Sequence, residues 1–527
     1  FRIGAGNNGG SHDWEWDGEI SNLRVVNGTA VYTSSFKPPT EPLTSITNTV
    51  LLCCNNSSTT GKTTGGTITA ISSPSASIHS PFDDPAAFKF GDAGDQNVIK
   101  CGSYVGNSSS LPEINIGFEP SWILIKNLNS GGTYRNWFMF DNMRGVASND
   151  HDANFRANSS DTESTQTNYI DFTSTGFKIG NGDDGSTAGH GGVNENGQPM
   201  IYMAIRRPDG YVGKPPAAAS DVFKVVAGGN NTQPTYNSGF QTDFSIRKSI
   251  NSGSVWVGTS RLTGRKYLRM NDNDAEANIG SNQDWSFENG MGSWTSNEST
   301  MTSWNWKRHK GFDVVPYNVR SSPPGNREQI PHSLNAVPEM IWVKARTGGG
   351  GNDQWAVYHK DLSGTGGHAY NAYLWLTTDA AAGSSTSYWV QAPTSTHFTV
   401  STNNGRTGDS QHNYIAYLFA SSNDADGNAI SKVGTYTGNT SSQPSVELGF
   451  QPSFILIKRA SGSDDWNMYD TLRGISQSGD EKRAKLNKTD AQDDQNHISL
   501  HSDGFTIQSN NDAVGGNGDQ YVYYCHK

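Results

Sequence analysis

Three carboxylates at alternate positions, Glu15-x-Asp17-x-Glu19, are the first residues of this chain whose types and spacing suit catalysis. Alternate residues of a strand share a face, and a retaining glycosidase needs nucleophile and acid about 5 Å apart, which one strand face can provide. The same spacing also describes an acidic strand facing solvent. Asp424-x-Asp426-Gly427-Asn428 and Asp272-x-Asp274 offer the hard oxygens of calcium loops. Calcium takes roughly six to eight oxygens, however, and no Glu follows to complete a loop, so each is read as a turn. The 13 histidines form no H-E-x-x-H or other close ligand pair, and neither a G-x-S-x-G elbow nor a phosphate-binding glycine loop occurs. Cys53, Cys54, Cys101 and Cys525 show no paired C-x2-C spacing and no disulfide framework, and are read as small buried hydrophobes. The expectation is no catalytic residue, no metal and no cofactor.

Aromatic residues offer the other chemistry, because the flat apolar face of a sugar packs on an indole. Trp14, Trp16, Trp285, Trp294, Trp304, Trp306 and Trp389 are the possible platforms. Those at strand periodicity read as core. Trp294 and Trp389, in more polar surroundings, are the candidates for glycan stacking.

The elements that must position such residues are repeated. Gly106–Lys126 (GNSSSLPEINIGFEPSWILIK) aligns without a gap on Gly438–Lys458 (GNTSSQPSVELGFQPSFILIK). The match continues from Trp137-x-Met139-Phe140-Asp141-x-x-Arg144-Gly145 to Trp466-x-Met468-Tyr469-Asp470-x-x-Arg473-Gly474. Two weaker copies lie between, one with Gly239-Phe240 and Trp256, the other with Met340-Ile341-Trp342-Val343-Lys344 and Trp355. Trp122–Lys126 is apolar on both faces, as a sandwich strand is when one side meets the core and the other is covered. Trp137 and Met139 alternate with Phe138 and Phe140, a period of two. The prediction is an all-β chain of tandem, jelly-roll-like β-sandwich modules, strung as beads with their own cores. The boundaries are a jelly-roll end at 1–57, a connecting segment at 58–96, and sandwiches at 97–210, 219–310, 311–421 and 430–527. With 33% hydrophobic and 17% charged residues, 14 Trp, 20 Tyr and 21 Phe provide the core area that scarce aliphatics do not.

A net charge of −11 disfavours nucleic acid, whose phosphates call for clustered Lys and Arg. No apolar run is long enough to span a membrane as a helix, and no membrane insertion is expected. The chain starts at Phe1, and Phe1–Asp17 reads as the interior of a domain, so a fragment of a longer polypeptide is expected.

Asp17-Gly18-Glu19-Ile20-x-x-x-Arg24-Val25, followed by a turn and a small-residue run, resembles the closing strands of laminin-G-like or concanavalin-A-like jelly rolls. Its continuation through Phe36-x-Pro38-Pro39 to Leu51-Leu52-Cys53-Cys54 is similar to the version in virion proteins of marine tailed phages, cyanophage-like, and the repeats look like modules that accompany it. Jelly-roll glucanases space their acids E-x-D-x-x-E, whereas Glu19 arrives one residue early and belongs to the D-G-x-I strand. The resemblance implies a non-enzymatic virion appendage or tail-fibre-like structural protein, on the virion surface. Its partners would be other virion proteins and a host cell-surface glycan, and it would be a homo-oligomer, with a trimer expected from the resemblance alone. The accessory-module region of a secreted polysaccharide-degrading enzyme and a purely structural capsid-decoration protein remain open.

Overall fold

The computed structural model describes the chain except residues 1–2, 9–10, 16–17, 19, 35, 37–41, 56–57, 72–73, 76–97, 109–111, 129–135, 147–151, 165–166, 174, 181–189, 208–211, 230–231, 280–284, 286, 293–297, 321–322, 349–352 and 476–479. Two compact units divide it, residues 1–95 and 96–527. In the first, Ala5–Asn8 and Ser11–Glu15 form an antiparallel hairpin. A separate sheet orders Leu23–Val26, Thr49–Cys53 and Lys62–Thr64. Leu52 and Cys53 are buried there.

In the second unit one large antiparallel sheet recurs four times, here called modules 1 to 4 in chain order, and one strand explains its plan. In Pro120–Asn127, Ile123 and Ile125 turn to one side and are fully buried, while Trp122, Leu124 and Lys126 turn to the other. The turn that starts this strand takes the left-handed backbone region, with φ of 86° at Gly117, 87° at Gly239 and 82° at Gly449. Module 3 puts Asn335 there, φ 52°, the residue type that best tolerates this region after glycine.

Each large sheet has one order: an opening strand, the closing strand, the central strand, the tryptophan strand and the strand after it. Module 1 uses Ile99–Val105, Pro199–Arg206, Pro120–Asn127, Trp137–Asp141 and Asn154–Arg156. Module 2 uses Phe223–Ala227, Met301–Trp306, Phe244–Ser249, Val257–Ser260 and Lys266–Arg269. Module 3 uses Phe312–Tyr317, Tyr414–Phe419, Met340–Ala345, Ala356–His359 and Ala372–Trp375. Module 4 uses Ala429–Thr437, Gln520–His526, Phe454–Arg459, Trp466–Asp470 and Glu481–Lys485. A three-stranded sheet completes the sandwich in modules 1, 3 and 4, and in module 2 it shrinks to Tyr236–Asn237 paired with Gly290–Met291.

Modules 1, 3 and 4 each enclose an interior between their two sheets, around Ile123 and Phe177, Ile341 and Phe398, and Ile455 and Phe505. Beyond what the repeats predict, modules 2, 3 and 4 share a further interior on the outer faces of their large sheets. Trp256, Trp304 and Trp306 from module 2, Trp342, Trp355 and Phe419 from module 3, and Phe454, Trp466 and Tyr524 from module 4 form one continuous cluster. The string of beads is therefore, over these three modules, a closed ring.

The ring is cyclic in its polar contacts as well. The Trp256 indole donates to the Lys485 carbonyl of module 4 (2.8 Å), Trp355 to the Arg269 carbonyl of module 2 (2.9 Å), and Trp466 to the Trp375 carbonyl of module 3 (2.9 Å). Each acceptor is the last residue of the strand after the tryptophan strand. Three equivalent lysines follow the same circuit, Lys248 to the Thr489 carbonyl, Lys344 to that of Asn273 and Lys458 to that of Asp379. An indole N–H buried without a partner would lose its hydration, so these bonds fix how the modules turn against one another.

Candidate functional site

Trp389, expected as an exposed platform, is a core residue. It sits in Trp389–Gln391 opposite Val400 and is 2% exposed, its ring edge-on to Tyr358 at 5.9 Å. Polar neighbours in sequence misled because a half-buried strand alternates, and Trp389 occupies the inward position. Trp294 lies outside the described residues, as do Asp17 and Glu19 of the acidic triad. Trp304 and Trp306 line the ring interior, and Trp285 is buried in module 2.

The two acidic turns are satisfied by protein. Asp424 accepts from the backbone N–H of Asp426 and Asn428 (3.0 and 2.8 Å), closing a turn before Gly427 at φ 87°. The Asn428 side-chain amide, which also donates to the carboxylate (3.1 Å to Oδ2), is the main cause that holds the Asp424 carboxyl below the usual range, with the backbone bonds adding to it. Arg269 pairs with both Asp272 and Asp274, at 3.6 and 2.6 Å. Among the described residues, no three His, Cys, Asp or Glu side chains gather as a metal site. Cys53 and Cys525 are buried as expected, whereas Cys101 is exposed.

Burial pushes the Glu481 carboxyl up to about 7, into the range that a general acid would need. Close by, His497, which burial lowers to about 4, pairs through Nδ1 with the Tyr469 hydroxyl at 2.7 Å. The repeat assigns this group a structural role. Glu481 accepts the backbone N–H of His497 (2.7 Å), and in module 1 the buried Asp152 accepts those of Tyr169 and Ile170 (2.7 and 2.9 Å) at the matching place. Both carboxyls clamp the segment that enters the second sheet.

A second buried ionic group joins modules. Arg308 donates to Glu119 of module 1 (2.7 Å) and to Asp313 of module 3 (2.7 Å), and its backbone N–H donates to Asp243 of module 2 (2.7 Å). Burial alone would weaken the guanidinium's hold on its proton, but Glu119 and Asp313 outweigh it and raise it well above the ordinary value. Arg207 and Arg261 flank Asp243 at 3.6 and 3.9 Å.

The surface best built for a ligand is an aromatic ledge on module 3. Tyr373 and Trp375 are alternate residues of Ala372–Trp375, so both turn toward the sandwich interior at its rim and stay partly exposed. Their rings lie 4.6 Å apart, and Tyr388 meets them edge-on at 4.8 and 5.5 Å. Arg406 lies over Trp375 and Tyr388, at 5.2 and 5.7 Å from the ring centroids. Gly383, opposite Tyr373 across the strands, makes room for it, because a Cβ there would come within 2.4 Å of the ring. The Trp375 carbonyl receives the Trp466 indole, so the ledge stands on the ring's own junction. The partly exposed Trp375 indole and Tyr373 phenol offer apolar surface for stacking, with Tyr388 buried behind them, and a guanidinium can donate to hydroxyl or carboxylate oxygens. The sequence signal for this ledge is Tyr373-x-Trp375, an aromatic pair at strand period rather than an isolated tryptophan.

The family described as "Domain of unknown function (DUF7483)" matches residues 30–207 and 218–527, and the break between them falls at the passage from module 1 to the ring. No curated protein matches the chain.

Proposed function

Given that the chain belongs to the DUF7483 family, we propose that it is a non-enzymatic structural protein of a phage virion appendage that displays a glycan-binding ledge toward the host surface. The observation that carries the recognition part is the partly exposed Tyr373 and Trp375 pair, backed edge-on by the buried Tyr388, with the Arg406 cation over Trp375, held at a junction of the ring. Rigidity matters because weak sugar contacts gain when the surface is preorganised and several copies engage together. The virion setting rests on the resemblance of residues 17–54 to phage lectin-like jelly rolls.

A glycan array with the purified chain tests the proposal. We expect binding to a subset of glycans, loss of it in Trp375→Ala, and inhibition of phage adsorption by the wild-type chain alone. The substitution leaves the Trp375 carbonyl in place, so the ring contact survives. No bound glycan, together with adsorption that added protein leaves unchanged, would sink the recognition role and leave a scaffold or an enzyme's accessory region.

A further inference from the structure

Module 1 carries the same outer sheet face that modules 2, 3 and 4 bury in their shared interior, and it has no place in their closed ring. Register makes the correspondence residue by residue. Leu124 lies between Met139 and Met203, as Leu456 lies between Met468 and Tyr524. Trp137 pairs with Lys126, as Trp466 does with Lys458. The equivalents in the ring, Trp256, Trp355 and Trp466, are at most 1% exposed, whereas Trp137 is 36% exposed. Ile99 is 55% exposed, and its counterparts Phe223 and Phe312 are 3% and 0%. Trp122, Leu124, Met203 and Ile205 are all only partly buried. Soluble proteins rarely leave so contiguous an apolar face open.

We propose that this face is an interface between copies of this chain, in which three module-1 sheets close a ring of the kind modules 2–4 close within one chain. The occupant is argued from the molecule itself. The face has diverged from partners that pack in threes, and those three are already engaged with one another. Module 1 also keeps the local framework of the contact. The Trp137 backbone N–H donates to Asn158 Oδ1 (2.8 Å), as the backbone N–H groups of Trp256 and Trp466 do to Asn271 and Asn487 (2.8 and 2.9 Å). By the same circuit, the Trp137 indole of one copy donates to the Arg156 carbonyl of the next, Arg156 being the last residue of Asn154–Arg156 as Lys485, Arg269 and Trp375 are of theirs. A cyclic head-to-tail contact that closes after three is how heterologous interfaces make finite rings rather than filaments. This inference stands on the repeat alone and does not depend on glycan binding.

Sedimentation of the full chain tests it. The expected mass is three times that of the 56.9 kDa chain. Leu124→Glu and Met203→Glu each place a charge on the face and should give single copies, and Glu113→Lys, on the second sheet, should leave the trimer intact. Cys101, exposed and opposite Met203, supplies a readout that needs no variant. Its labelling, located by mass spectrometry, should slow about tenfold or more on going from dilute single copies to the assembled state, since a thiol reacts only where it is accessible. A chain that stays single at all concentrations, one that forms dimers, or a trimer indifferent to both glutamates would overturn the proposal. So would a protected Cys101 in a single copy, which would mean the chain's own residues cover the face.

Discussion

Trp137 and Trp466 stand at the same register of the same sheet, each opposite the lysine that ends the apolar run, yet one is open to solvent and the other is enclosed. The inner faces of the two modules match: Ile123 and Ile125 against Ile455 and Ile457, all fully buried. What the repeat specifies is therefore the sandwich, and the surroundings of its outer face come from how copies are arranged. The outer face is the more informative half of each module, because it records a partner that the inner face does not need.

The largest effect should come from truncating the ring tryptophans. Trp355→Ala removes a fully buried indole and its bond to module 2, and should cost about 3–5 kcal/mol in urea unfolding. Trp137→Ala, measured in dilute conditions where copies are separate, should change stability by about 0.5 kcal/mol or less, as surface substitutions do. Equal losses would erase the distinction between enclosed and open faces.

Next is the joint between the two regions. Glu119→Gln leaves Arg308 buried with one carboxylate fewer, and breaking such a pair costs about 3 kcal/mol. We expect module 1 of the variant to melt ahead of the ring, in a transition of its own, as followed by calorimetry. A variant that melts as the wild type does would mean the joint is held by other contacts.

These features differ in how far the sequence reveals them. Gly-Phe-x-Pro, the both-sided apolar run and Trp-x-Met are local, so the all-β, repeated-sandwich character is legible even where Asn335 replaces the turn glycine, whereas the strand order and the reduced second sheet of module 2 are not. The run Trp122–Lys126 also announced that something covers its second face, but periodicity cannot say what. The ring needed residues 256 and 485, or 466 and 375, to be seen together, and no spacing encodes a contact between modules. The ionic joint is equally hidden, since Glu119 and Arg308 are 189 positions apart. Trp389 was misread because its neighbours are polar in sequence, while its strand turns it inward against Val400. Trp375, which strand periodicity alone would place in the core, lies at the sandwich rim, where inward position and partial exposure coincide.

The smallest effect probes the three ring lysines. Burial pushes Lys248, Lys344 and Lys458 each down to about 8, and nearby acids offset only part of this. Unfolded, each would titrate near 10.5. Between these values the unfolded chain binds more protons than the folded one, so this contribution to stability rises with pH across the window, and the burial cost is felt in full below pH 8. Lys344→Met removes that titration while the tyrosines and thiols, which titrate in both proteins, cancel in the difference. Wild-type stability minus that of Lys344→Met should therefore grow by on the order of 1 kcal/mol from pH 7.5 to 10, read from urea midpoints. Parallel curves would show that the Lys344 ammonium keeps its water, and that the ring is looser at its rim than its indole bonds require.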